Sequence, residues 1–286
     1  RDPFPNNILP PSLFDPVAVK LLDFWPAPTS GSLTQNFLRA TPTGNNYYRF
    51  DIRGDHEINA RNRAFARFSY DTTNTLPSVA FRGSTGDTKS NVGVRTLTSS
   101  WTSTISPSKL NELRFSILNW VRKVSPYRAD ENVAQLMGIP NINTNSGVPN
   151  MDISNIQGIG NGFSGGFNNG ADRVYSFIDQ FSIIKGVHSI KVGGALRIYR
   201  LKNFQPSILN GNFTFRSPQT SLPGAFSANT GNAFASFLLG LANSTQYTQK
   251  DPGQEVNNQT YAGFIQDDIK LSRRLTVNLG LRYELN

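Results

Sequence analysis

Residues 275–285 alternate without a break: Leu275, Val277, Leu279, Leu281, Tyr283 and Leu285 stand against Thr276, Asn278, Gly280, Arg282 and Glu284. Successive side chains of a strand point to opposite faces, so this spacing gives one apolar and one polar surface. The run is about eleven residues, the length with which a tilted strand crosses a bilayer. The pattern recurs upstream. Tyr48, Phe50 and Ile52 oppose Arg49, Asp51 and Arg53, while Ala64, Ala66, Phe68 and Tyr70 oppose Arg63, Arg67 and Ser69, with Phe65 out of step. Leu113, Phe115, Ile117 and Val121 oppose Glu112, Arg114 and Ser116. Eight strands are expected, at 47–57, 63–71, 92–104, 110–122, 174–184, 187–200, 259–270 and 275–286.

The connections narrow the fold further. Brief turns join these segments in pairs, at 57–62, at 105–109 around Ser106-Pro107-Ser108, at Lys185-Gly186 and at 271–274. Between the pairs lie long loops at 72–91, 123–173 and 201–258. Membrane barrels have this asymmetry, with short periplasmic turns at one rim and extended extracellular loops at the other. A soluble sandwich also alternates, but structureless connections beyond roughly 15 residues are uncommon in compact domains. Tyr47, Tyr48, Tyr70, Trp101, Trp120, Tyr199, Tyr261 and Tyr283 lie toward strand ends, where interfacial aromatic girdles form. The fold class expected is all-β, a partial antiparallel transmembrane β-barrel of about eight long strands whose extracellular loops carry short helices. Residues 1–46 are expected as an extracellular loop segment with a short helix, and 47–286 as part of the barrel domain.

Composition agrees. Hydrophobic residues make up 37% of the 286, and the longest apolar run, 233–242, is about ten residues and contains Gly240. That is far below the roughly 18 needed for a spanning helix, whereas a barrel strand needs apolar side chains only at alternate positions. There is no cysteine, which removes disulfide scaffolds and Cys-based metal or redox sites. The formal charge of +9 comes from Lys and Arg scattered singly along the chain, so no nucleic-acid partner is expected. The chain starts at Arg1 without a signal-peptide core and stops at Asn286 directly after a strand, so both ends read as cut.

Within the loops, Asp15-Pro16 before 17–25 reads as an N-cap with Pro at the first helical position. Residues 131–137 before Gly138 form a second helix candidate with a left-handed glycine cap. The 233–241 segment is expected to fold against the barrel mouth as a short helix or strand start. The Asn-, Gly- and Ser-rich stretch 140–170 is expected to lie exposed.

Several stretches resemble the TonB-dependent receptors, and among them the Oar-like group of acidobacteria. Residues 261–284 carry Gln266-Asp267 and the strand Leu275-Thr276-Val277-Asn278-Leu279-Gly280-Leu281-Arg282-Tyr283-Glu284, similar to that group's hairpin. Arg53-Gly54-Asp55-His56 with Arg67-Phe68-Ser69 resembles a second hairpin, and residues 185–194 resemble its Lys-Gly-x-His-x-x-Lys-x-Gly-Gly turn. Residues 3–28, with Asn7-Ile8-Leu9-Pro10, resemble a loop segment. The resemblance implies a barrel of about 22 strands, plugged by an N-terminal domain and energised by TonB. It places the plug, the TonB box and the terminal insertion signal outside this chain. The partners it implies are outer-membrane lipid, the TonB complex through that N-terminal part, and an unidentified nutrient such as a siderophore or glycan.

No set of residues suggests an enzyme, a cofactor or a metal. Gly160, Gly162 and Gly165 fit a dinucleotide fingerprint, and Gly162, Ser164 and Gly166 a nucleophile elbow, but neither is followed by a helix pattern. His56 and His188 sit beside short turns, where strand or turn hydrogen bonds are expected. Asp267 and Asp268 point to opposite faces, and one of them is expected to bond Arg or Lys in the lumen. The function expected is transport across the cell outer membrane of a Gram-negative bacterium. The alternatives are a non-transport adhesin barrel or a soluble all-β binding module.

Overall fold

The computed structural model describes residues 4–32, 34–83, 88–142, 146–160, 167–206, 208–222, 230–248 and 253–286. In chain order the elements are α1 (Pro16–Leu22), β1 (Gly44–Asn59), β2 (Asn62–Leu76), β3 (Thr88–Ser106), β4 (Lys109–Pro126), α2 (Val133–Met137), β5 (Asn150–Ile153), β6 (Asn169–Lys185), β7 (His188–Phe204), β8 (Asn212–Phe215), α3 (Ala233–Leu238), β9 (Ser244–Gln246), β10 (Gln254–Lys270) and β11 (Thr276–Leu285). The eight long strands form one antiparallel sheet in the order β1-β2-β3-β4-β6-β7-β10-β11. All eight expected strands are present, and most run further than alternation alone indicated, chiefly toward the long-connection rim. The sheet has not closed on itself: β1 pairs with β2 and β11 with β10, and their outer edges meet no strand among the described residues.

Tight turns set the register at one rim. Asn59 Oδ1 accepts the backbone N–H groups of Arg61 and Asn62, both at 3.0 Å, which closes the β1–β2 turn. Between β6 and β7 the loop is Gly186-Val187 alone. Gly186 takes φ 61°, the left-handed geometry that two-residue hairpins require at their first position. With these turns fixed, pairing places Phe115 opposite Phe177, Phe177 opposite Leu196 and Leu196 opposite Tyr261.

One face of the sheet is therefore apolar from edge to edge. It carries Ile52, Phe68, Leu97, Ile117, Tyr175 and Ile198 in one row, and Phe115, Phe177, Leu196, Tyr261 and Leu285 in the next. Many of these side chains lie open: Ile265 is 53% exposed, Leu281 72% and Tyr283 70%. No second sheet among the described residues covers this face, so the two-layer packing of a soluble sandwich is not formed. Water-soluble monomers rarely expose an apolar surface that runs unbroken across so many strands, and hydrocarbon is the solvent that suits it. The aromatic girdle expectation needs correction. Tyr48, Tyr70, Trp101, Tyr261 and Tyr283 do lie on the apolar face, but Tyr47, Trp120 and Tyr199 project from the polar one. Position near a strand end does not fix the face; parity in the register does.

Leu196→Arg, in the middle of the apolar face, is expected to cost about 2–4 kcal/mol in bilayers. Ser116→Arg, on the polar face, is expected to cost much less. Urea unfolding in phospholipid vesicles, read by tryptophan fluorescence, measures both; equal losses would mean that the faces are wrongly assigned.

Candidate functional site

The polar face and the rim with the long connections are the surfaces able to meet a solute. The polar face carries paired charges. Asp51 on β1 accepts from Arg67 at 2.9 Å and from the Ser69 hydroxyl, both on β2. Tyr47 donates its hydroxyl to Asp71 at 2.6 Å, and Arg49 approaches the same carboxylate at 3.6 Å. Along single strands, Arg53 bonds Asp55 at 2.7 Å, Arg114 bonds Glu112 at 2.7 Å and Arg282 bonds Glu284 at 2.6 Å. Such exposed pairs add little stability. Their effect is to line this wall with matched charges that keep water and exclude lipid. The ring of Phe264 also lies on this face, over Gly193 of β7. A Cβ on Gly193 would sit 2.6 Å from the ring, so this position of the Gly-Gly pair has no room for a side chain.

At the long-connection rim the loops are folded against one another. The N-terminal segment, the 77–83 stretch and the two longest connections share one buried core. It contains Leu21 and Phe24 from the first, Val133, Met151, Ile153 and Ile159 from the 127–168 connection, and Phe215 and Phe237 from the connection after β7, with Phe81 packed against it. The expectation that 140–170 lies exposed fails for its described middle part, where Val148 is 4% exposed, Met151 2% and Ile159 0%, while Asp152 and 155–157 are exposed as expected. Apolar residues there are few, but β5 pairs in parallel with β8 and antiparallel β9 completes a three-stranded sheet. That pairing satisfies the backbone and lets a sparse set of side chains reach a common core. The partner strand lies some sixty residues downstream, so no local pattern announces it.

The helices in this cap follow their local signals. Asp15 Oδ1 accepts from Val17 and Ala18 N–H at 2.8 and 3.0 Å, with Pro16 at the first position of α1. Gly138 ends α2 at φ 90°. Residues 233–238 form α3, capped by Asn232, and Phe237 packs edge-on against Trp25 and Phe215. Phe24 holds the loops together: its ring lies under the guanidinium of Arg82 at 4.5 Å and near that of Arg128 at 5.9 Å. Gly83 N–H donates to Phe24 O, and Gly160 N–H to Gly83 O. Concavities of about 230 Å³ and 920 Å³ open in this cap. The smaller is bordered by Leu21, Met151, Phe213 and Phe237, and the larger by Phe4, Leu9, Thr220 and Leu239.

The other motifs fare as follows. Residues 161–166 lie outside the described residues, and with them most of the fingerprint and the elbow. His188 Nδ1 lies 2.6 Å from Asp267 Oδ2 across β7 and β10, a strand bond of the kind expected, while His56 faces Ala64 in the register of the apolar face. The two aspartates do point to opposite faces, but Asp268 accepts from Gln266 at 2.9 Å, not from Arg or Lys. The nearest polar side chain two residues along the strand supplies the bond. Among the described residues no cluster of three or more His, Asp or Glu could hold a metal ion.

Gly83→Ala is expected to loosen the cap, because its Cβ would stand 2.9 Å from both Phe24 Cβ and Ile159 Cγ2. Phe237→Ala is expected to cost about 3–5 kcal/mol of local stability. Protease added to intact cells should cut within 127–168 faster in both variants. Unchanged cleavage would mean that the loops are not held by this core.

Comparison with known proteins places the fold. No curated protein matches the chain. Among solved structures, it is similar to a mutant of the ferric enterobactin receptor of Pseudomonas aeruginosa, at 11% identity and a TM-score of 0.44, covering 88% of this chain and 30% of that one. It is also similar to the outer membrane transporter YddB of Escherichia coli, at 10% identity and a TM-score of 0.36, covering 85% and 34%. The chain thus spans about a third of the length of the structures it resembles. The family model described as "Outer membrane beta barrel domain" matches residues 1–286. Matched over its whole length, the chain belongs to the outer membrane beta barrel domains and forms part of a strand wall in the Gram-negative outer membrane.

Proposed function

We propose that this chain is the wall and part of the extracellular mouth of a TonB-dependent transporter of the Oar-like group, taking up a large or scarce nutrient such as a siderophore or glycan. The observation that carries the reading is the charged inner wall beneath a folded cap. Asp51, Arg67, Glu112 and Arg114 line a wet surface, and the long connections gather over its rim instead of hanging free. A mouth roofed by a folded cap suits selective admission of a bulky solute. The four sequence resemblances point the same way. In this reading residues 1–46 are an extracellular segment and 47–286 a part of the barrel domain. Contact with TonB runs through a part of the protein outside this chain, and the chemistry is passage without catalysis.

The test is genetic. Deleting the gene in the native bacterium is expected to abolish growth on one limiting iron or glycan source. A strain without functional TonB should show the same defect, and the double mutant should be no worse than either single mutant. Normal uptake with lost attachment to surfaces or cells would replace this reading with a non-transport adhesin barrel.

A further inference from the structure

The small sheet in the cap has one protected edge and one open edge. On the β5 side, Met151 N–H donates to Ile159 O at 2.9 Å and Ile159 N–H to Met151 O at 3.3 Å, so Ile159 covers that edge. On the other side β9 is exposed along all three residues, and its outer edge meets no strand among the described residues. Unpaired backbone groups of this kind are a template for another extended chain. Met151, Phe213 and Thr245 form one register row across the three strands. A further strand laid along β9 would continue that row, and its residue opposite Thr245 would put its side chain on the same face.

That row floors the concavity of about 230 Å³, which Leu21 and Phe237 also border. Apart from Thr245 and Asp15, the described residues around it are apolar, so Asp15 is its one charged group. Asp15 Oδ1 is occupied, accepting from Val17 and Ala18 N–H at 2.8 and 3.0 Å. Its Oδ2 accepts no hydrogen bond among the described residues. Gly240 takes φ 67°, and a Cβ there would stand 2.9 Å from Oδ2, so glycine leaves that oxygen its place. An apolar pocket with one half-free carboxylate complements a side chain that is greasy along its stem and cationic at its tip, as lysine and arginine are. Backbone partners beside a side-chain pocket are what recognition by strand addition requires. We propose that the cap binds an extended peptide laid along β9, whose lysine or arginine opposite Thr245 enters this pocket against Asp15. The inference holds for a transporter and for an adhesin alike, so it does not rest on the uptake reading.

The test is fluorescence anisotropy with the full-length protein, purified from outer membranes in mild detergent. The probe is a dye-labelled, end-blocked peptide of sequence Thr-Val-Lys-Val-Thr. One relative of it carries acetyl-lysine, and two carry N-methyl groups on one or the other alternate set of backbone nitrogens. The acetyl-lysine peptide is expected to bind roughly tenfold less tightly, as loss of a charge-assisted bond predicts. One methylated set should lose binding and the other keep it, because alternate N–H groups of an added strand face its neighbour. Asp15→Asn keeps an acceptor at the helix cap. It should weaken the lysine peptide roughly tenfold and leave the acetyl-lysine peptide unchanged. Asp23→Asn, at the other end of α1, should leave both unchanged. If Asp15→Asn loses its heat-modifiable electrophoretic band, the peptide series on the native protein decides instead. The proposal fails if Asp15→Asn weakens both peptides equally, which would leave the carboxylate a role in folding alone. It also fails if both methylated peptides bind like their parent, or if n-butylamine competes as well as the peptide, which would make this a small-amine site. A dimer joined through β9 that unlabelled peptide does not dissociate would make a second copy the occupant and overturn it too.

Discussion

Everything in this molecule hangs on strand register. Side chains alternate with a period of two, so one residue of slip between β6 and β7 would bring Arg197 to the apolar side and take Leu196 from it. Four tight turns prevent that slip at one rim, and the polar wall and apolar band both follow from it. The same lock sets Arg173 against Arg200. An arrangement so unfavourable for two isolated cations persists because it is carried by a long ladder of backbone bonds, each of which would break before the pair could separate.

The open edges of β1 and β11 express the same principle. In hydrocarbon, unpaired backbone N–H and C=O groups are too costly to leave exposed, and closure is the general remedy. Eight strands arranged as here form an open arc with two edges still to be paired. The apolar band and the charged wall are properties of that arc itself.

The strands are legible in the sequence because each writes both its faces into a local pattern. Residues 275–285 show the alternation without help from neighbours, and Gly186 marks a turn by its own conformational needs. Strand ends are less legible. Beyond the apolar run of β2, Thr72, Thr73, Asn74 and Thr75 offer no alternation to read, yet they continue the strand because β1 and β3 pair with them on either side. The cap is half legible. Asp15-Pro16 and Gly138 announce helix ends through their own chemistry, but nothing near Met151 foretells Phe213, since that contact is made by chain folding over a long loop. Tyr47, Trp120 and Tyr199 mislead for a related reason: closeness to a strand end carries no information about parity.

The shared core of the cap has a consequence for motion. Because Phe24, Met151 and Phe237 come from different connections yet pack together, no one connection can swing away without opening the core to water. The cap is therefore built to move as a single plate, in rare collective steps, and not as a fringe of independent strings. How often the plate lifts is then set by the packing of that shared core, whatever lies at its outer surface.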